Sequence, residues 1–227
     1  MRMPTACSIR FTGCDSKRIL MAMNTSFFAM IHRMRYINRW GLMRNTELEN
    51  IQEHSHDVAV IAHLLAIVRK MKFSDGRVCP DPLFVATLAL YHDLPEIITG
   101  DMPKPLKYHN RPMETTYKEI EREASEVLLA MLPDDLACEY RKFLLPDTDD
   151  VVVSEALNLV KAADCFSAYI KCLDEQKVGN REFERAKVEV GERLDAFRLP
   201  EVDWFKENAL PAYAKSLDEI NFDFNLK

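Results

Sequence analysis

With 227 residues, 48% of them hydrophobic and 29% charged, the chain has the length and composition of one soluble domain with a sizeable core. Its net charge of −6 supplies no basic surface for a nucleic-acid polymer or a membrane, and no apolar run approaches the roughly 20 residues that a bilayer span needs. Only six glycines argue against a sheet-rich fold and against glycine-built phosphate loops, whereas a small anionic substrate stays open, because a metal and one or two arginines set a local field whatever the net charge.

In chain order, residues 1–22 come first. Arg2, Arg10, Lys17 and Arg18 stand there against the single acid Asp15, without periodicity. The stretch reads as a disordered leader or a mis-started extension, with initiation near Met21 or Met23. A transit-type peptide or an ordered extension are the alternatives; the apolar core of a secretory signal is missing. One domain is expected over 23–227. An opening helix is expected near 25–37. The first strong pattern follows at 54–70, where Val58, Ile61, Leu65 and Val68 recur at steps of three and four from His54. Residues 83–94 (LFVATLALYHDL) are apolar almost all round and read as a short helix buried in the middle of the domain. Residues 114–131 place Ile120, Ala124, Val127 and Met131 on one face. Residues 154–176 line up Leu157, Val160, Asp164 and Ala168, with Ser154 as a possible cap. A helix over 181–198 presents Phe183, Ala186, Val190, Leu194 and Phe197, and a closing helix is expected near 204–218. Prolines punctuate the gaps and strand signals are nearly absent. The fold class is all-α.

Six cysteines, at 7, 14, 79, 138, 165 and 172, lie far apart with no C-x-x-C pair, which fits reduced thiols in a cytoplasmic protein.

Three pieces carry chemistry: His54 in QEHSHDVA, His92-Asp93 followed by Glu96 in YHDLPE, and Asp164 on the apolar stripe of LVKAADCFSAY. Alone, each has a plain structural reading: a hydrogen-bonded histidine at a helix start, a chance dipeptide, a carboxylate satisfied by backbone amides. Together they place His, His-Asp and Asp on three separate helices among apolar neighbours. A carboxylate on a core stripe is expensive to desolvate unless a cation meets it, and no Lys or Arg sits one turn away on that stripe. Two imidazoles and two carboxylates suit a borderline divalent cation and leave positions open for water and substrate. His32, His56, His63 and His109 are read as structural or surface residues; His56, two residues from His54, points away from it.

The order H…HD…D on an all-α scaffold is similar to the HD-domain superfamily of metal-dependent phosphohydrolases, a helical bundle. Within it the chain resembles the 5′-deoxynucleotidase (YfbR-like) branch, on the segments INRWGLMRN (37–45), EHSHDVA (53–59), YHDLPEIITGDMPKPLK (91–107) and KAADCFSAYIKCLDE (161–175). The resemblance implies hydrolysis of deoxyribonucleoside 5′-monophosphates to deoxynucleoside and phosphate, with one divalent ion (Co²⁺, Mn²⁺ or similar) held by His54, His92, Asp93 and Asp164. It assigns Glu96, with Asp93, to catalysis as the acid that positions or deprotonates the attacking water. It places Arg39 and Trp40 around sugar and phosphate, the indole favouring 2′-deoxyribose, and Asp101, Met102, Pro103 and Lys104 on a substrate-contacting turn. At Lys104 the family more often has a small hydroxyl residue. The resemblance further implies a homodimer. The alternatives are a triphosphohydrolase or phosphodiesterase on the same scaffold, or a non-catalytic nucleotide-binding HD protein.

Overall fold

The structure, a computed structural model, describes residues 25–107 and 109–220; the expected leader and Cys7 and Cys14 lie outside them. Ten α-helices carry the described residues: α1 (Phe27–Ile31), α2 (Ile51–Lys72), α3 (Pro82–Tyr91), α4 (Glu96–Thr99), α5 (Lys104–Lys107), α6 (Arg111–Leu129), α7 (Asp134–Leu144), α8 (Val151–Lys177), α9 (Glu184–Ala196) and α10 (Pro200–Asn208). Short 3₁₀ segments join them, and the one extended pairing among the described residues is an isolated antiparallel bridge between Asn38 and Asn50.

The two long helices start where their caps dictate. Asn50 accepts hydrogen bonds from Gln52 N and Glu53 N while Glu53 reaches back to Asn50 N, a reciprocal cap that starts α2 one turn before His54. Asp150, not Ser154, caps α8, its Oδ1 accepting from Val152 N at 2.7 Å; Val151–Val153 therefore belong to the first turn. Prolines begin helices as often as they separate them: Pro82, Pro112 and Pro200 stand at the first or second helical position, where no N–H is needed.

Helices α2, α3 and α8 pack side by side, with α9 and α10 against α2 and α8. Their shared core holds Val58, Leu65, Leu88, Leu159, Phe166 and Phe205. All four apolar positions expected on the second helix are buried. A second cluster, with Phe27, Met34, Leu94, Leu128, Leu132 and Leu144, seats α1, α6 and α7 against the His92–Pro95 turn.

Three expectations shift. Helix α6 turns Tyr117, Ala124, Ser125, Leu128 and Leu129 inward, whereas Ile120 and Val127 are exposed. Its buried stripe, with Tyr117 on the inward side, is the one that packs against α1, α4 and α7. Helix α3 is not buried all round: Leu83 and Leu90 are 68% and 44% exposed. The closing helix begins at Pro200 and ends at Asn208, the rest of 204–218 being 3₁₀ turns. Helix α7 went unpredicted, since its eleven residues offer few inward-facing apolar positions.

One buried ionic network lay outside the sequence reading. Arg69 and Glu201, both 0% exposed, pair across α2 and α10; Arg69 Nη1 also reaches Glu155 at 2.6 Å and Arg77 Nη1 reaches Glu201 at 2.8 Å. Glu201→Ala takes away one of the two carboxylates on the buried Arg69 guanidinium, leaving Glu155 as its remaining counter-charge, and also removes the partner of Arg77, so it is expected to cost about 3 kcal/mol. The paired change Arg69→Met/Glu201→Leu leaves no fully buried charge behind, only the part-exposed Glu155 and Arg77, and should recover most of that loss in urea unfolding.

Candidate active site

His54 leads its functional face from the first turn of α2, His92 and Asp93 follow the C-terminal end of α3, and Asp164 sits midway along α8. Because these three helices share one core, their polar groups meet. His54 Nε2 lies 3.2 Å from Asp164 Oδ1 and 3.4 Å from Asp93 Oδ2, and His92 Nε2 lies 3.1 Å from Asp93 Oδ2. Ligands about 2.1 Å from a tetrahedral ion stand about 3.4 Å apart. One ligand atom from each of His54, His92 and Asp164 falls within 4.8 Å of the others, and Asp93 adjoins both rings.

Both imidazoles are oriented from behind. His92 Nδ1 donates to the Ala89 carbonyl at 2.6 Å, which leaves its Nε2 as a lone pair facing the carboxylates. His54 Nδ1 is 3.0 Å from Ser167 Oγ; with the proton on Nδ1 its Nε2 is likewise free to ligate. Among the described residues neither Nε2 makes a hydrogen bond although both are buried, as expected of atoms shaped for a cation. Burial holds His54 below the usual imidazole range, which favours the neutral ligand form. Burial would also lower His92, but the adjacent Asp93 charge raises it instead. Burial would raise Asp93 and Asp164. The imidazoles beside them, with Lys104 and Arg39 for Asp164, hold both well below the usual carboxylate range.

Glu96 opens the short helix α4, immediately after Pro95. Its side chain is buried and Oε2 has no hydrogen-bond partner among the described residues. Burial, then repulsion from Asp93 and Asp101, pushes its carboxyl up to about 9.

Arg39 is buried, and its guanidinium joins the cluster to a neighbouring cavity. Nη1 pairs with Glu49 Oε2 at 2.6 Å and Nη2 approaches Asp164 Oδ1 at 3.8 Å. Burial would lower the Arg39 pKa, but Glu49, Asp164, Asp93 and Asp101 together raise it and keep the cation fixed. The chain between the opening 3₁₀ turn and α2 doubles back on itself here, closed by Arg39 N donating to Glu49 O and Ile51 N to Ile37 O, each at 2.9 Å. Trp40 sits in this loop with φ +58°, a left-handed conformation that costs a bulky residue about 1–3 kcal/mol. Its backbone N–H donates to Asp101 Oδ2 at 3.3 Å, its indole N–H to Glu49 Oε2 at 3.0 Å, and its ring meets Phe183 edge-on at 5.3 Å.

The cavity beside Arg39 measures about 820 Å³, within the usual range for small-molecule sites. All six residues expected to touch substrate line it: Arg39, Trp40, Asp101, Met102, Pro103 and Lys104. The far wall was not expected; it is the face of α9 formed by Ala186, Glu189, Val190 and Arg193. Ser167, Glu49 and Phe183 were also missed. Ser167 had a signal, being one helical turn past Asp164; nothing in the sequence marks Glu49 as the partner of both Arg39 and Trp40. His56 is exposed and turned away from the site, as expected.

Comparison with known proteins finds relatives over most of the chain. The sequence profile of the 5′-deoxynucleotidase YfbR-like family matches residues 26–213. A protein named 5′-deoxynucleotidase from Photorhabdus temperata is 45% identical over 197 residues, covering 87% of this chain and 97% of that protein. Another from Vibrio atlanticus is 43% identical over 195 residues, covering 86% and 97%. Among solved structures, an HD-domain phosphohydrolase from Listeria innocua superposes with a TM-score of 0.69 at 20% identity, covering 83% of this chain and 88% of that one. A cyanophage S-2L HD phosphohydrolase, bound to dA and one catalytic Zn²⁺, superposes with a TM-score of 0.50 at 22% identity, covering 81% and 96%. The helical fold, the convergence of His54, His92, Asp93 and Asp164, and the match over most of the length place the chain in the 5′-deoxynucleotidase YfbR-like family of HD-domain hydrolases.

Proposed function

We propose that this chain is a divalent-metal-dependent phosphomonoesterase that hydrolyses deoxyribonucleoside 5′-monophosphates to deoxynucleoside and phosphate. The observation that carries the reading is the pair of buried, hydrogen-bond-free Nε2 atoms of His54 and His92 facing Asp93 and Asp164, at the edge of a nucleotide-sized cavity. These four residues fit a single ion such as Co²⁺ or Mn²⁺. When bound, that ion lowers the pKa of a water and neutralises phosphoryl charge.

The protein's own groups supply the rest. Arg39, kept charged by Glu49 and Asp164, stands where a phosphate oxygen on Asp164's side of the cavity takes up its Nη2. With a bound divalent charge beside Asp93 offsetting the repulsion that keeps its carboxyl protonated, Glu96 would ionise and accept a proton from the attacking water, a role its Oε2, without a partner among the described residues, leaves open. Trp40, pinned at its backbone N–H, its indole N–H and its ring, presents a rigid wall to C2′ of the sugar. Asp101 fixes that wall, and Met102, Pro103 and Lys104 complete the turn around the substrate.

Among the described residues no helix is long and apolar enough to cross a membrane. Our reading is of a cytoplasmic enzyme acting on a small nucleotide, not on a polymer. A homodimer, as the resemblance implies, is our reading of its assembly, with Leu83 and Leu90 on α3 as exposed apolar surface open to a second copy.

The test is phosphate release from dAMP, AMP and dATP with Mn²⁺ or Co²⁺ and after chelation. Release from dAMP well above AMP, lost on chelation, is expected. Preference for dATP would replace the reading with a triphosphohydrolase, and no release from any substrate would indicate a nucleotide-binding protein without catalysis. Trp40→Ala should bring the dAMP and AMP rates together by raising AMP turnover, a change of about tenfold in their ratio, since exclusion of one hydroxyl by shape is modest.

A further inference from the structure

We propose that Glu175 is the positioning residue that sets Trp40, and through Trp40 the selection of deoxyribose, although it touches neither substrate nor metal ligands. The second half of this statement rests on the sugar-selecting role proposed for Trp40.

Glu175 lies eleven residues beyond Asp164 on α8, roughly 16 Å along the helix. It is 1% exposed, and its partners come largely from the loop that carries Arg39 and Trp40. Thr46 donates to it twice, from N to Oε2 at 3.1 Å and from Oγ1 to Oε2 at 2.6 Å. Asn180 Nδ2 bridges Glu175 Oε2 at 2.7 Å and the Arg44 carbonyl at 2.8 Å. Lys171 Nζ bridges Glu175 Oε1 at 2.5 Å and the Glu47 carbonyl at 2.6 Å. Three points of the outer arm, Arg44, Thr46 and Glu47, are thus tied to one buried carboxylate and its two helpers.

The inner arm of the same loop holds Trp40 at positive φ. A bulky side chain stays in that region only if its surroundings fix the backbone on both sides. On the inner side the fixing groups are Asp101 and Glu49. On the outer side Asn45 Nδ2 donates to the Trp40 carbonyl at 3.2 Å, and the residues flanking Asn45 are those held by the Glu175 cluster. A second route runs through rings: the Lys171 ammonium lies 5.7 Å from the centre of Phe183, and Phe183 is the ring that meets Trp40 edge-on. A buried carboxylate is costly to desolvate and contributes little stability over an apolar replacement; what this one does is set the loop's geometry. Cut loose, the outer arm lets Trp40 relax toward an ordinary backbone conformation, and its indole moves off C2′.

The experiment compares wild type with Glu175→Ala, Glu175→Gln and the loop-side pair Thr46→Val/Asn180→Ala, which leaves the carboxylate in place. Each is assayed on dAMP and AMP at saturating Mn²⁺, with metal content measured after desalting. A parallel set in the Trp204→Phe background makes Trp40 the sole tryptophan, the chain having two. Glu175→Ala and the loop-side pair are expected to lower the dAMP-to-AMP ratio of kcat/KM about tenfold, chiefly through KM, with metal content unchanged. Glu175→Gln, which keeps one acceptor oxygen, should restore part of the ratio. Trp40 emission should shift to the red in step with the ratio. A lowered melting temperature with both ratio and emission unchanged would make Glu175 a purely structural residue and overturn the proposal. If Glu175→Ala does not fold, the loop-side pair carries the test alone. If wild type itself fails to distinguish dAMP from AMP, the sugar role of Trp40 fails, and unchanged emission would then separately refute its positioning by Glu175.

Discussion

Asp164→Ala protein is expected to emerge from desalting without bound divalent ion and to hydrolyse dAMP at least about a thousandfold more slowly than wild type. The size of the effect follows from where the residue stands. Asp164 is the one contribution of α8 to the cluster, and its Oδ1 lies 3.2 Å from His54 Nε2 and 3.8 Å from Arg39 Nη2. Its loss opens one side of the ion's coordination and takes away one of the two carboxylates closest to the Arg39 guanidinium. The remaining three ligands come from α2 and from the turn after α3, so the ion would no longer tie α8 to them. Metal-free wild type and metal-free variant should melt within a few degrees of each other. Added Mn²⁺ should raise the melting temperature of wild type alone, because only a state that binds the ion is stabilised by it. Full occupancy in the variant, read by elemental analysis, would remove Asp164 from the ligand set. Asp164→Asn, which keeps the shape and removes the charge, should fall nearer to alanine than to wild type, as a carboxamide oxygen is a weaker ligand for such an ion.

What could be read from the residues and what could not divides along physical lines. Helix α2 was legible because Val58, Ile61, Leu65 and Val68 obey the helical period and all point inward. The convergence of His54, His92, Asp93 and Asp164 could be argued beforehand, since each interrupts an apolar segment at a cost that only a shared cation would offset. The orientation of α6 was not legible: Ile120 and Val127 are as apolar as Leu128 and Leu129, and the choice between two stripes is made by tertiary contacts with α1, α4 and α7, which the pattern of α6 itself does not contain. Positions governed by backbone conformation were hidden as well. Nothing in INRWGLMRN shows that the tryptophan rather than Gly41 takes the left-handed angle, for that depends on Asp101 and Glu49 reaching it from either side. The α9 wall of the cavity was invisible for a similar reason. Val190 does lie in the core, as its place on the stripe predicts, and it and Ala186 also border the cavity, because the cavity is cut into the edge of that same stripe.

Glu96→Gln should retain the metal, bind dAMP with nearly unchanged KM and lose about 10²- to 10⁴-fold in kcat, the range expected for removing a general base. Gln has the shape and burial of Glu96 but accepts no proton, so a purely structural role predicts no such loss; a fully active variant would end the assignment. The same substitution has a second signature in metal-free protein, of known sign. Burial and the facing Asp93 and Asp101 raise the folded carboxyl to about 9, against an ordinary value of 4.5. Between those values the folded chain binds a proton that the unfolded chain has released. Stability contributed by this group therefore falls as pH rises through that window. Metal-free wild type should lose melting temperature steadily from about pH 5 to pH 8, and Glu96→Gln, with nothing to titrate there, should give a flatter profile and overtake wild type at the alkaline end. Saturating metal should narrow the difference, since a divalent charge beside Asp93 offsets the repulsion that keeps Glu96 protonated. The two signatures are independent. A flat profile in the variant with full turnover would mean that Glu96 is perturbed by its neighbours without acting in the reaction, whereas slow turnover with parallel profiles would mean that it acts as base from a carboxyl the site does not perturb.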